Sequence, residues 1–244
     1  MFTAKDIQIK LIDSATARQV VQLYHYSGKT TQNSQIHFGV FLNGTIQGAL
    51  QFGPSINKRP MALNLGIKFN EFLELNRMAL SDACPKNSES RSLSICLKML
   101  KKQYPFLKLI ISFADACQCG DGTIYRASGF KLHSFKRNTS MMINESGKVV
   151  CTKTFNNFID QETGRRFRPK NKTFTPLEGY QMKYLYFFDK ELEKKFKFVD
   201  FDKIPSEVKM YKGVRASSKG NVASGFQSEE GGAIPTDALQ SLTD

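Results

Sequence analysis

Asp115 ends the apolar run LIISFAD (109–115), and Tyr125 stands in the polar stretch that follows, DGTIYRASGF (121–130). A carboxylate at the carboxyl end of a buried strand is where α/β sheets commonly keep their chemistry. It can act as a general base or orient a substrate amine, and a tyrosine can protonate a leaving thiolate or hydrogen-bond a substrate. The plain alternatives are a turn cap for Asp115 and a core tyrosine with a satisfied hydroxyl. A second stretch, NRMALSDACPKNSESRSL (76–93), joins a strand-like run to a helix. Asn87, Ser88 and Ser90 offer caps and donors there, and Lys86 and Arg91 add charge. Free N–H groups at a helix start bind anions, so the junction can hold a phosphate or pyrophosphate. The alternative is an ordinary capped helix start. With no glycine, it is neither a P-loop nor a dinucleotide fingerprint. A third stretch, GRRFRPKNKTF (164–174), carries Arg165, Arg166, Arg168, Lys170 and Lys172 with two phenylalanines and no acid. That pattern lays cations along a phosphate backbone and offers rings to bases; otherwise it is a solvated hairpin tip. Cys117 and Cys119 form a C-x-C pair, with His25 and His133 as distant imidazoles, but the paired spacing of a zinc site is missing.

These groups need elements to hold them. A short strand from Ile7 leads to a helix over 14–23, which Asp13 or Ser14 can cap. Residues 24–35 read as a polar, aromatic loop. IHFGVFLNGTIQGALQFG (36–53) reads as a hairpin turning at Asn43-Gly44. A strand is expected over 70–80 and a helix over 89–105, with Leu93, Cys96, Leu97 and Leu100 at helical spacing. The continuous apolar run over 107–115 reads as a strand buried on both faces. A short helix ended by Gly129 follows, and then strands at SMMIN, KVVCTKTF and KYLYFFD, with 163–174 as a basic loop. This order implies a mixed α/β sheet.

The chain has 244 residues, 41% of them hydrophobic and 23% charged, which suits one large domain. The expected division is one main domain over 1–212, including a DNA-contacting segment near 160–175, and a Ser/Gly-rich disordered tail over 213–244. No apolar run reaches the roughly 18 residues of a membrane span, and the N-terminus has no signal core. Five cysteines without disulfide spacing fit a reducing cytoplasm. The net charge of +13, with a pI near 9.5, makes nucleic acid the expected partner.

The stretches YHYSGKT, GALQFGPSINKRP, FLELNRMAL, PKNSESRSLS and SFADACQCGDGTIYRASGF resemble the Mom family of phage DNA-modification proteins, over roughly residues 20–130. That family looks like a divergent branch of the GNAT acyltransferase fold. The resemblance implies a mixed, mostly antiparallel central sheet flanked by helices, with a basic C-terminal extension. It implies conversion of adenine in double-stranded DNA to N6-carbamoylmethyladenine, shielding phage DNA from host restriction. By motif it assigns function to Tyr26, Arg77, Ser90, Asp115 and Tyr125. The donor would be acetyl-CoA or another acyl or glycyl donor, held by Lys86, Asn87, Ser88, Ser90 and Arg91. GNAT loops use glycines at this place, and side chains there would crowd a close backbone approach. Iron is a further implied cofactor, with His25 and His133 as ligand candidates. Expected partners are double-stranded DNA and, as an open option, a second copy of the chain; no membrane is expected. Two rivals remain: a GNAT acetyltransferase acting on a protein or small molecule, and a DNA-binding protein with an inactive acyltransferase fold.

Overall fold

The computed structural model describes residues 2–118, 120–144, 147, 149–152, 158–159, 166–167 and 174–209. After a short 3-10 turn, the elements are β1 (Gln8–Leu11), α1 (Ser14–Tyr24), β2 (Ile36–Leu42), β3 (Thr45–Gly53), α2 (Lys58–Leu65), β4 (Phe72–Leu80), α3 (Ser88–Gln103), β5 (Leu109–Asp115), α4 (Thr123–Ala127) and β6 (Lys131–Arg137). Then come β7 (Met141–Asn144), β8 (Val149–Cys151), β9 (Phe158–Ile159), β10 (Arg166–Phe167), β11 (Phe174–Pro176), β12 (Tyr180–Phe187) and α5 (Lys190–Glu193).

Seven strands form the main sheet in the order β1-β2-β3-β4-β5-β12-β6. All neighbours are antiparallel except β4 and β5. A parallel pair needs a crossover, and α3 supplies it. Leu93, Cys96, Leu97 and Leu100 of α3 are buried against Leu50, Phe52, Leu75, Ile110 and Ala114 on one sheet face. The other face is covered in two patches. Val20 and Val21 of α1 pack on Ala49 and Ala79, while Ala62 and Leu65 of α2 and Leu192 of α5 pack on Phe72, Leu109, Ile111 and Leu185. This is the mixed, mostly antiparallel sheet with flanking helices expected from the sequence. Among the described residues no helix is long and apolar enough to cross a membrane.

Local chemistry explains the element ends. Asp13 caps α1 by accepting from the N–H groups of Ala15 and Thr16 at 2.8 and 2.9 Å. Asn43 and Gly44 both take positive φ, 50° and 77°, as a type I′ hairpin turn requires. Two helices, α2 and α5, have no counterpart among the elements read from sequence. A second difference is β5, which is not buried on both faces: Phe113 is 45% exposed. The expected basic loop also contains the two residues of β10, paired with β9.

Two irregularities shape the sheet centre. β4 and β5 pair only at Phe72–Leu109, Leu73–Ile110 and Glu74–Ile111. The β3–β4 register shifts between Gln51 and Phe52, which leaves Asn76 as an extra residue in β4. The bulge therefore turns both Asn76 and Arg77 toward the α1/α2 face. A three-stranded sheet, β11-β7-β8, grows between β6 and β12. Buried Asn138 clamps its base: its amide donates to the carbonyls of Met141 and Leu177 at 2.7 and 2.8 Å, and its oxygen accepts from the Met141 N–H at 2.8 Å.

Candidate active site

Where β4 and β5 part, the α3 face opens into a cleft of about 790 Å³. One wall is the segment from Leu80 to Ser90, and the other is Ala114 with residues from Gly120 to Ala127. Lys86, Asn87, Ser88, Ser90 and Tyr125 all line it. Arg91 does not. It faces an adjoining hollow of about 320 Å³ with Lys5, Ser94 and Lys98.

The cleft's floor is the start of α3, whose Asn87 cap residue makes no side-chain cap bond. Ser88 and Ser90 turn their hydroxyls back to the carbonyls of Pro85 and Asn87. One role of the missing glycines, the left-handed backbone, is filled locally. Asn87 sits at φ 70°, ψ 9°, the left-handed conformation that glycine usually provides and asparagine tolerates best among the rest. Because Asp82 and Glu89 also line the cleft, an anion there would rest on backbone N–H groups and Lys86 rather than on a general positive field.

The opposite wall is braced by Tyr184, which is fully buried. Its hydroxyl donates to the carbonyl of Asp121 at 2.6 Å and accepts from the Arg126 guanidinium at 2.7 Å. Arg126 also pairs with the Asp121 carboxylate at 3.3 Å and stacks 3.4 Å from the Phe201 ring centroid. Tyr125, on the one-and-a-half-turn helix so held, packs its ring 5.5 Å from that of Tyr184 and points its hydroxyl toward the Phe113 carbonyl at 3.5 Å.

The remaining sequence candidates lie on the other sheet face. Ala79 of β4 packs under α1 and Ile111 of β5 under α2, so alternation puts Arg77, Phe113 and Asp115 on that same face. Arg77 donates from Nε to the Lys29 carbonyl at 3.0 Å and from Nη1 to the Asn76 carbonyl at 2.7 Å. It thereby holds the 25–35 loop over the bulge. Ser34 adds a bond to the Asn76 side chain at 3.1 Å. Gly53 permits this approach, since a Cβ there would lie 2.2 Å from the Asn33 carbonyl. Tyr26 stands on the loop, 47% exposed, with its ring 4.3 Å from His25. Burial and the nearby Arg77 charge pull the His25 pKa down to about 4.

Asp115 caps its own turn, accepting from the Cys117 N–H at 3.2 Å and the Gln118 amide at 2.8 Å. The cap alternative is thus present, and the same carboxyl is held above the usual aspartate range, chiefly by burial. Its strand partner across β12 is Gln181, which bonds Ser140 at the root of the three-stranded sheet. Two residues along, Lys183 is the partner of Phe113; burial lowers its pKa. Phe113, Lys183 and the Tyr184–Arg126 brace escaped the sequence reading. Their roles arise from pairing and sheet opening, which leave no local signature.

The metal expectation finds no support. Among the described residues no group of three or more His, Cys, Asp or Glu could hold an ion. His25 accepts from the Ser27 N–H through Nδ1 at 3.2 Å, and His133 packs on Phe196 with Nδ1 3.4 Å from the Lys197 carbonyl. This donor set does not fit iron. Cys119 lies outside the described residues, as do Arg165, Arg168, Lys170, Lys172 and the Arg166 side chain.

The chain is 37% identical over 131 residues to "Methylcarbamoylase mom" of Escherichia phage Mu; the match covers 53% of this chain and 54% of that protein, about half its length. Similar solved structures include an IAA acetyltransferase from Bacillus cereus, with TM-score 0.44, 10% identity, and 75% of this chain and 99% of that one covered. A GNAT family acetyltransferase from Elizabethkingia anophelis, solved with acetyl-CoA bound, has TM-score 0.42, 13% identity and the same coverage. The model of the Mom protein family matches residues 6–206, and the chain belongs to that family.

Proposed function

We propose that this chain is a phage DNA-modification transferase that converts adenine in double-stranded DNA to N6-carbamoylmethyladenine and so protects phage DNA from host restriction. The observation that carries the reading is the opening between β4 and β5. Beside it an uncapped helix start lies on one face, and Arg77 and Asp115 lie on the other. In this reading a donor bound on the α3 side meets an acceptor from the α1/α2 side at the edge where the two strands separate.

The α3 start, with Lys86, Asn87, Ser88 and Ser90, suits the phosphates of an acyl-CoA or of another acyl or glycyl donor. Coenzyme A would supply a thiol leaving group. Plain acetyl transfer would place a carbonyl on N6. The proposed product has a methylene there, so its donor must present that carbon bearing an amide or an amide precursor. As the N6–carbon bond forms and the bond to the leaving group breaks, Asp115 takes the proton shed by N6. Tyr125, at the opening, returns a proton to the leaving group. Arg77 steadies negative charge on the donor or the DNA.

DNA from cells expressing the chain, digested to nucleosides and weighed by mass spectrometry, tests this. The expected result is an adenosine heavier by a carbamoylmethyl group, absent with Asp115→Asn. Since Asp115 must be ionised to act and burial raises its pKa, the rate should fall with acid at a pH above the usual aspartate value of about 4. An acetyl increment would favour the acetyltransferase rival. Unmodified DNA from a chain that still binds duplex would favour the inactive binding protein.

A further inference from the structure

Phe113 stands where β5 has lost one neighbour: β4 pairs with it only as far as Ile111, leaving β12 alone beside it. Its large apolar side chain is 45% exposed and joins none of the apolar clusters of the core. No aromatic ring among the described residues packs on it. α1 covers the sheet beside it and α2 covers the sheet below it, and the gap between the two helices leaves the ring uncovered.

Its surroundings are cationic. Lys183 is its direct partner on β12, on the same face. Arg77 stands across the opening on the β4 bulge, and its Nη2 has no partner among the described residues. Neither cation is in an ion pair among those residues. Asp115 lies two residues along the same strand face, roughly 6.7 Å away by strand rise, about the reach of a purine ring system.

We infer that Phe113 is the stacking platform for an adenine turned out of the duplex, with Lys183 and Arg77 bordering it toward the phosphates and Asp115 meeting the exocyclic amine. The inference rests on the reading above that duplex adenine is the acceptor. In the duplex the base that carries N6 is paired and stacked between its neighbours, out of reach of Asp115 on the sheet, so it has to leave the stack at a cost of about a few kcal/mol. An aromatic face recovers part of that cost, because a stacked base is worth about 1–3 kcal/mol. The purine is favoured over an apolar peptide because the ring is framed by two cations and a carboxylate rather than by further apolar groups.

The test compares binding of two labelled duplexes by anisotropy, one with a single unpaired adenine and one with an abasic residue at that place. A 2-aminopurine version of the first reports stacking by fluorescence. The wild type should prefer the adenine duplex by about 5- to 150-fold, the range that 1–3 kcal/mol of stacking gives, with quenched 2-aminopurine. Phe113→Leu, which keeps apolar bulk without a π face, should reduce the preference to near unity, and Phe113→Trp should restore it. A Phe113→Leu variant that keeps both preference and quenching overturns the platform. If such a variant also modifies DNA normally, the DNA-modification reading stands without it. A wild type that neither binds duplex nor modifies adenine overturns that reading together with the inference.

Discussion

His25 illustrates how one residue's surroundings fix its protonation. Nδ1 accepts from the Ser27 backbone N–H, so a proton there would displace that N–H and turn to the Ser27 hydroxyl 2.8 Å away. Burial and Arg77 oppose that proton too, and the imidazole is neutral until about pH 4. In the unfolded chain the same ring takes up its proton near pH 6.5. The unfolded state therefore binds more protons between those values, and stability falls as pH drops through them. The expected loss is on the order of 1 kcal/mol per pH unit from about 6.5 to 4, levelling off below. Thermal melts across that range should show the slope, and His25→Asn should flatten it. At this scale the sequence supplied Asp115, Tyr125, Ser90 and Arg77 as residues of interest. It could not show that Ser90 and Tyr125 share a cleft while Arg77 and Asp115 occupy the other sheet face.

At the scale of elements, the cleft wall from Gly120 to Ala127 depends on packing more than on helix propensity. α4 spans only Thr123–Ala127, too short to persist alone. Tyr184 and Arg126 hold it through Asp121. Gly122 makes this possible: it sits at φ 80°, and a Cβ there would meet the buried Tyr184 ring at 2.3 Å. Gly122→Ala should cost at least ~1–2 kcal/mol from backbone conformation alone, with the steric conflict added. A lowered midpoint in denaturant with an unchanged m-value would register it, whereas unaltered stability would contradict the brace. The start of α1, the hairpin turn and α3 were legible because their signals are local: a capping Asp13, Asn43-Gly44 and a helical apolar stripe. α2 was not. Pro60 in KRPMALNL reads as a breaker, yet it occupies the first turn, where its missing N–H is not needed.

Over the whole molecule, the net charge of +13 is the broadest functional signal. The insertion between β6 and β12 is rooted at Asn138, and its Ser140 bonds Gln181, the strand partner of Asp115. Along the chain, the basic run 164–174 belongs to this insertion. We propose that it tracks the DNA backbone. Replacing Arg165, Arg166, Arg168, Lys170 and Lys172 by glutamine should weaken duplex binding. It should also flatten the plot of log affinity against log salt by about one for each phosphate left without its cation. Asp115→Asn should leave that slope unchanged. Titrations at several salt concentrations decide it, and an unaltered slope in the glutamine variant would remove the run from the interface.

The sequence by itself determined the mixed α/β class, most strand and helix positions, the family resemblance and the basic character, because periodicity, capping and composition are properties of neighbouring residues. The opening between β4 and β5, the bulge that turns Arg77 to the α1/α2 face, the exposure of Phe113 and the pairing of Lys183 with it were decided only in the tertiary structure. Each depends on which strands pair and on where that pairing shifts or stops, which joins residues distant in sequence.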